Sequence, residues 1–223
     1  MNPWTLIVPS GGVGSRMGAD RPKQYLEIQE KPILLHTLLA LDRYFEEPKF
    51  IIPMDPSWRD YMHAHLRGFS LEKRCVLVDG GQERYDSVKN ALALVDTPWT
   101  GVHDAVRPFV SRETVERIQA AIASNDGVVP VVPLRDSLRK TTLNGSEAVP
   151  RSEYLSVQTP QCFPTEILHA AYRLEFDPNL TDDASLVERI GKKVGLIPGN
   201  DENIKITTPL DLILAQHLII AQP

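Results

Sequence analysis

Short apolar runs alternate with helical patterns almost from one end of this chain to the other, and that alternation leaves few folds open. Thr5-Leu6-Ile7-Val8, Phe50-Ile51-Ile52, Val76-Leu77-Val78, residues 99–103, Gly127-Val128-Val129-Pro130-Val131-Val132 and Val194-Gly195-Leu196-Ile197 read as strands. Helical patterns lie between them. One starts at Ile33 after Pro32, a favoured first-turn residue, and another runs from a Ser57 cap through Leu66. A third spans 87–95, and a fourth follows Ser111, with Glu113 and Glu116 placed where carboxylates suit the helix dipole. Further helices are expected around 165–174, 183–190 and from Pro209. The pattern predicts an α/β fold: a Rossmann-like, doubly wound, mostly parallel sheet with helices on both faces. At 223 residues the chain fits one compact domain over 1–223.

The first strand runs into Pro9-Ser10-Gly11-Gly12-Val13-Gly14-Ser15-Arg16-Met17-Gly18, with Pro22-Lys23-Gln24 close behind. Glycines let backbone N–H groups approach phosphate oxygens that a Cβ would push away. Arg16 and Lys23 bring two positive charges to the same place. Such a loop sits at the C-terminal edge of its strand, where open α/β sheets bind ligands. It suits a nucleoside triphosphate. It is not a Walker A loop, which ends in Gly-Lys-Ser/Thr, and not a dinucleotide fingerprint, because the third glycine arrives one residue late at Gly18. A tight surface turn with incidental charges is the plain alternative.

Composition narrows the partners. The net charge is −5 and the basic residues are scattered, which argues against a nucleic-acid binder. Substrate phosphates must then be met by local positive charge. No apolar run approaches a membrane span, and the N-terminus carries no signal-peptide pattern, so a cytoplasmic protein is expected. Cys75 and Cys162 stand far apart and in no metal-ligand spacing. They read as reduced thiols, with no base beside Cys162 in the sequence to make it a nucleophile.

Four more segments carry polar groups where a strand hands over to a loop. In Asp79-Gly80-Gly81-Gln82-Glu83-Arg84-Tyr85-Asp86-Ser87, two glycines and a serine could hold a base or ribose, or form a plain turn with Ser87 as helix cap. In His103-Asp104-Ala105-Val106-Arg107-Pro108-Phe109, an aspartate directly after a strand is the expected Mg²⁺ ligand, since Mg²⁺ takes one or two carboxylates plus phosphate oxygens and water. Arg107 could pair with phosphate or with Asp104, and His103 reads as scaffold. Pro150-Arg151 with Thr159-Pro160-Gln161 is the third segment. In Asn203-Ile204-Lys205-Ile206-Thr207-Thr208, Lys205 alternates with apolar neighbours and projects from a strand face opposite them. Separately, 136–143 leads through Asn144-Gly145 to a return strand near Arg151, a hairpin signal. On the residues alone it is a surface decoration or an arm reaching a partner, with decoration slightly favoured.

Taken in order, Pro9-Ser-Gly-Gly-x-Gly-x-Arg-Met, Pro22-Lys-Gln-Tyr, Asp79-Gly-Gly with Arg84 and Ser87, Val102-His-Asp-Ala-Val-Arg-Pro, Gln158-Thr-Pro-Gln, Thr181-Asp-Asp-Ala-Ser and Asn203-Ile-Lys-Ile-Thr-Thr-Pro resemble the IspD family, the 2-C-methyl-D-erythritol 4-phosphate cytidylyltransferases. The resemblance covers essentially the whole chain. It implies transfer of CMP from CTP to methylerythritol phosphate with loss of pyrophosphate, in non-mevalonate isoprenoid synthesis. Carried over residue by residue, it implies Arg16, Lys23 and Lys205 as catalytic cations and Asp104 as Mg²⁺ ligand. Ser10, Gly11, Gly12, Gly14, Gly81 and Ser87 would hold CTP, and Arg107, Ser137, Arg151, Thr159 and Thr181 would bind methylerythritol phosphate. It also makes the 136–151 hairpin a homodimer arm that delivers Arg151 to the neighbouring subunit's site, against the decoration reading. Two departures stand out. Ser10-Gly11-Gly12 replaces a common Ala-Ala-Gly and adds a hydroxyl near the base, and Ser137 replaces a common threonine. The rival readings are a ribitol-5-phosphate cytidylyltransferase, a sugar-1-phosphate nucleotidylyltransferase and a non-catalytic nucleotide-binding regulator on the same fold.

Overall fold

The structure, a computed structural model, describes residues 4–12 and 21–221. Arg16 and Gly14 lie outside the described residues. Among those described, six strands run parallel: β1 (Trp4–Ile7), β4 (Lys49–Met54), β5 (Cys75–Asp79), β6 (Trp99–Val102), β7 (Gly127–Pro133) and β12 (Val194–Pro198). β2 (Glu27–Ile28) and β3 (Lys31–Pro32) form a small antiparallel pair beside the sheet. The helices that accompany them are α1 (Ile33–Phe45), α2 (Arg59–Leu66), α3 (Arg84–Leu92), α4 (Arg112–Ala121), α5 (Thr165–Ala171), α6 (Asp183–Arg189) and α7 (Pro209–Ala221). The mostly parallel sheet with flanking helices agrees with the alternation in the sequence.

Alternate residues of each strand face opposite ways, and the core divides accordingly. Leu6, Val8, Phe50, Ile52 and Met54 pack with Leu38, Phe45, Met62 and Val115 on one face. Ile7, Ile51, Val102 and Val129 pack with Val88, Leu168 and Val187 on the other. A smaller cluster joins α7 to the body through Ile28, Ile33, Phe109, Ile206 and Ala215.

One arrangement was not expected. β10 (Leu155–Val157) and β11 (Gln161–Pro164) form antiparallel strands on the edge of β7 opposite β12, and β11 sits between β7 and β6. Cys162 pairs with both Gly101 and Val128 across this seam. A Cβ on Gly101 would lie 2.7 Å from Leu6 Cδ2 and 3.1 Å from Cys162 Sγ, so a larger residue here would push on the side chains of the neighbouring strands. Cys162 itself is fully buried, and burial pushes its thiol far up, which leaves it a packing residue.

β8 (Leu138–Thr142) and β9 (Gly145–Val149) form the hairpin that Asn144-Gly145 predicts. Its two strands pair only with each other, and Leu143 at its tip is fully exposed.

Candidate active site

Because β1, β4, β5 and β6 are parallel, the loops that leave them gather at one edge of the sheet. They enclose a cleft of about 290 Å³ lined by Ser10, Gly11, Gly12, Lys23, Gln24, Gly81, Glu83, Arg84, Ser87, Asp104 and Lys205, among others. Three of these side chains are basic and two acidic, a balance that suits a polyanion.

The β1 loop is tied down from below. Ser10 N and Oγ both donate to Pro53 O, at 2.8 and 3.1 Å. The extra hydroxyl expected near a base is thus turned into the fold, and Ser10 is only 2% exposed. Gln24 Nε2 donates to Ser10 O at 2.6 Å and to Gly12 O at 3.0 Å. Tyr25 Oη also donates to Ser10 O, at 3.2 Å. The sequence names Gln24 only as a neighbour of Lys23, so this clasp was missed.

The second wall is the turn after β5. α3 begins at Arg84 with Glu83 as its cap, so Ser87 lies inside the first turn and is not the helix cap. Its hydroxyl accepts from Gly81 N at 2.9 Å and donates to Glu83 O at 3.1 Å, closing the turn on itself. A Cβ on Gly81 would meet Asp86 Cβ at 2.1 Å, so the tight turn requires glycine. Arg84 reaches across to Asp183 at the start of α6, with Nη1 3.2 Å from Oδ1 and Nη2 2.5 Å from Oδ2. Tyr172 Oη donates to the same carboxylate at 2.5 Å. Burial disfavours the guanidinium charge, but Asp183 more than compensates and keeps Arg84 charged.

The third wall carries the charges. Arg107 Nε and Lys205 Nζ converge on one oxygen, Asp104 Oδ2, at 2.9 and 3.2 Å. Burial works against ionising Asp104, and the charges of Lys205 and Arg107 overcome it, holding the carboxyl well below the usual carboxylate range. Arg107 Nη1 also donates to Asn203 O at 2.7 Å, and its side chain is only 12% exposed. Of its two readings from sequence, the pair with Asp104 is the one observed. Lys205 lies not on a strand but in an extended segment whose Ile206 N donates to Val106 O at 3.0 Å. The alternation still holds: Ile206 is buried and Lys205 half-exposed.

Behind Asp104 the groups are scaffold. His103 is fully buried, with Nε2 3.0 Å from Arg107 O and Nδ1 3.1 Å from Thr159 Oγ1. Burial lowers its pKa to about 4, so the ring is neutral. Thr159 Oγ1 accepts from Asp104 N at 3.0 Å. Thr159 is 6% exposed and engaged within the protein; the contact with methylerythritol phosphate that the resemblance implies for it remains an expectation.

Thr181 is exposed and lines a second cleft of about 340 Å³, bordered by Glu83 and Arg84, which line the first cleft as well. Gln161 pins this region: its Oε1 accepts from Asp183 N and Ala184 N at 3.0 and 2.9 Å. Ser137 and Arg151 are exposed at the base of the hairpin and line neither cleft. Arg151 Nη1 donates to Arg135 O. The roles of Gln24, Arg84, Asp183 and Gln161 escaped sequence reasoning. Their signal is polar residues crowded at element starts, which reads equally as solvated surface.

Comparison with known proteins gives the arrangement its relatives. The family model described as IspD, 2-C-methyl-D-erythritol 4-phosphate cytidylyltransferase, matches residues 4–221. A Bacteroides thetaiotaomicron protein named 2-C-methyl-D-erythritol 4-phosphate cytidylyltransferase is 44% identical over 96% of this chain and 99% of its own. The crystal structure of 2-C-methyl-D-erythritol 4-phosphate cytidylyltransferase from Thermus thermophilus superposes with a TM-score of 0.79 at 32% identity, covering 97% of this chain and 98% of that one. A 4-diphosphocytidyl-2C-methyl-D-erythritol synthase from Anaerococcus prevotii gives 0.83 at 26% identity, over 97% and 98% of the two chains. With the match running from β1 to the last helix, this chain belongs to the IspD family of 2-C-methyl-D-erythritol 4-phosphate cytidylyltransferases.

Proposed function

We propose that the protein transfers CMP from CTP to 2-C-methyl-D-erythritol 4-phosphate and releases pyrophosphate, as its family does, in isoprenoid synthesis. The observation that carries this reading is the convergence of Lys23, Arg84, Asp104 and Lys205 on a cleft floored by Gly11, Gly12 and Gly81. A phosphate oxygen of the acceptor attacks the α-phosphorus of CTP, a new P–O bond forms, and the bond to the β-phosphate oxygen breaks. Pyrophosphate carries away that electron pair. No covalent intermediate on the protein is needed, so its residues contribute position and countercharge.

Lys23 and Lys205 supply fixed positive charge to the transferring and leaving phosphates. Arg16 is assigned the same task on sequence grounds. Gly11, Gly12 and the turn at Gly81 and Ser87 form the seat for base and ribose. Arg107 and Thr159 act through Asp104: Arg107 with Lys205 holds its carboxyl ionised, and Thr159 holds its backbone N–H in place.

Asp104 fits a divalent cation. Its carboxylate is ionised, faces the cleft and takes the contacts of Arg107 and Lys205 on Oδ2. Among the described residues no group of three or more metal-ligating side chains occurs. A Mg²⁺ here would therefore rest on Asp104 with phosphate oxygens and water, its usual company beside a triphosphate. Its contribution would be charge neutralisation across the phosphates.

The acceptor is proposed to bind toward Thr181 and the second cleft, completed by Ser137 and Arg151 from the hairpin of a second copy in a homodimer. The exposed, self-paired hairpin supports this, because a free two-stranded hairpin is marginal in water and gains from a partner. The chain then acts as one catalytic unit with the 136–151 arm for assembly. No described helix is long and apolar enough to cross a membrane. A cytoplasmic setting goes with the use of CTP. The test is pyrophosphate release from CTP and Mg²⁺ with methylerythritol phosphate or ribitol 5-phosphate as acceptor. Strong preference for the first is expected. Preference for the second would reassign the acceptor, and CTP binding without turnover would favour a regulator.

A further inference from the structure

The loop that leaves β1 is held from behind by one side chain. Gln24 is 3% exposed, and its amide nitrogen meets two carbonyl oxygens, Ser10 at 2.6 Å and Gly12 at 3.0 Å. Only the NH₂ end of a glutamine can donate to two carbonyls, so chemistry fixes which way the amide points. Tyr25 Oη gives Ser10 O a second donor at 3.2 Å. Burial pushes that phenol up to about 12, so it remains a donor at ordinary pH. Tyr25 in turn is stacked on Trp58 with ring centroids 4.4 Å apart, which fixes the ring.

A trans peptide is planar, and its C=O and N–H point in opposite directions. Turning the Ser10 carbonyl toward Gln24 and Tyr25 therefore turns the Gly11 N–H away from them, toward the open side of the loop. Gly11 and Gly12 are exposed, line the cleft and have nothing within 4 Å of where a Cβ would stand. They lack the means to hold their own peptide planes. We propose that Gln24 is a positioning residue for the nucleotide: by fixing the Ser10 and Gly12 carbonyls, it aims the Gly11 amide at the bound nucleoside triphosphate. This rests on the reading of the cleft as a CTP site.

Gln24→Met keeps the length of the side chain and removes both donors. Its dissociation constant for CTP, measured by calorimetry, is expected to rise about tenfold, the loss of one or two well-placed hydrogen bonds. KM for CTP should rise in step while kcat falls less than about threefold, because contact with the unreacted nucleotide is what weakens. A purely structural role would lower the melting temperature without that split. CTP affinity within about twofold of wild type in the folded variant overturns the proposal. Should Gln24→Met fail to fold, Gln24→Leu decides, since it also removes both donors from the same position. A roughly tenfold weaker affinity supports the role there, and unchanged affinity overturns it. Wild-type protein that binds no CTP would bring down the nucleotide reading itself, a result distinct from a variant that binds as wild type does.

Discussion

Arg84 and Asp183, 99 residues apart, meet in a two-pronged ion pair that joins the turn after β5 to the start of α6. The carboxylate is fully buried, whereas the arginine side chain is 36% exposed. Removing the arginine leaves a buried carboxylate to which Tyr172 Oη still donates. Arg84→Ala should cost about 2–3 kcal/mol in urea denaturation, below the full range for a buried pair because part of the guanidinium is already hydrated. Arg84→Lys should recover less than half of that, since an ammonium cannot make the fork. A loss under about 0.5 kcal/mol in the alanine variant would show that the pair is not structural.

Lys23→Ala should lower turnover by roughly a hundredfold or more, comparable to removing one donor that acts on charge in the transition state. Pyrophosphate release at saturating CTP measures it. Unchanged turnover would take Lys23 out of the catalytic set.

His103 gives stability a dependence on pH. Its pKa is about 4 in the folded protein and 6.5 in an unfolded chain. The unfolded state therefore binds the proton first as pH falls, and stability present above 6.5 is lost progressively toward 4. The whole loss is about 3 kcal/mol. Asp104 adds nothing in that window, because its depressed pKa is felt only once pH falls below the ordinary carboxylate value. Urea midpoints at pH 7 and 5 test the slope. A nuclear magnetic resonance titration placing the native His103 ring near 6.5 would sink the explanation.

Gly81→Ala places a methyl 2.1 Å from Asp86 Cβ and 3.0 Å from Ser87 N, so the turn must open. The expected cost is about 1–3 kcal/mol of stability, with weaker CTP binding as the Gly81 N to Ser87 Oγ bond is lost. Thermal melting and calorimetry on one sample report both. A variant with wild-type values for each would mean the turn yields freely.

The proposed exchange of Arg151 between subunits predicts complementation. Lys23→Ala and Arg151→Ala should each be weakly active alone. Mixed equally after subunit exchange, half the dimers are mixed and each has one intact site, so about a quarter of wild-type activity should return. Activity no greater than the average of the two variants would rule out sharing.

Much of this molecule is legible in its sequence, and the gaps have physical causes. Apolar runs around Leu6, Phe50 and Val128 mark buried parallel strands because both faces of such strands are covered. β10 and β11 escaped because three- and four-residue segments beside Pro160 and Pro164 carry no periodicity to read. The meeting of Asp104 with Lys205 was foreseen only by resemblance. Spacing along the chain does not say which loops share an edge. Arg107 illustrates the limit: its type and position fit phosphate and carboxylate equally, and only the fold brings it to Asp104 and Asn203 O. For Ser87 the sequence leaves a helix cap and a nucleotide contact open, and the cap reading falls because Glu83 caps α3 and leaves the hydroxyl to Gly81.

The antiparallel β11 makes the completeness of the sheet depend on four residues that come late in the chain. β6 and β7 are both synthesised before it, yet they cannot touch each other, because the strand that belongs between them is still to come. In the finished sheet residues 161–164 are the link between the strands built on β1 and those built on β7. The same late insertion brings Thr159 to His103 and Asp104, 56 and 55 residues away. Closure of the sheet and assembly of the acidic wall of the cleft therefore depend on one segment and its long-range contacts, which are of the kind that slows folding.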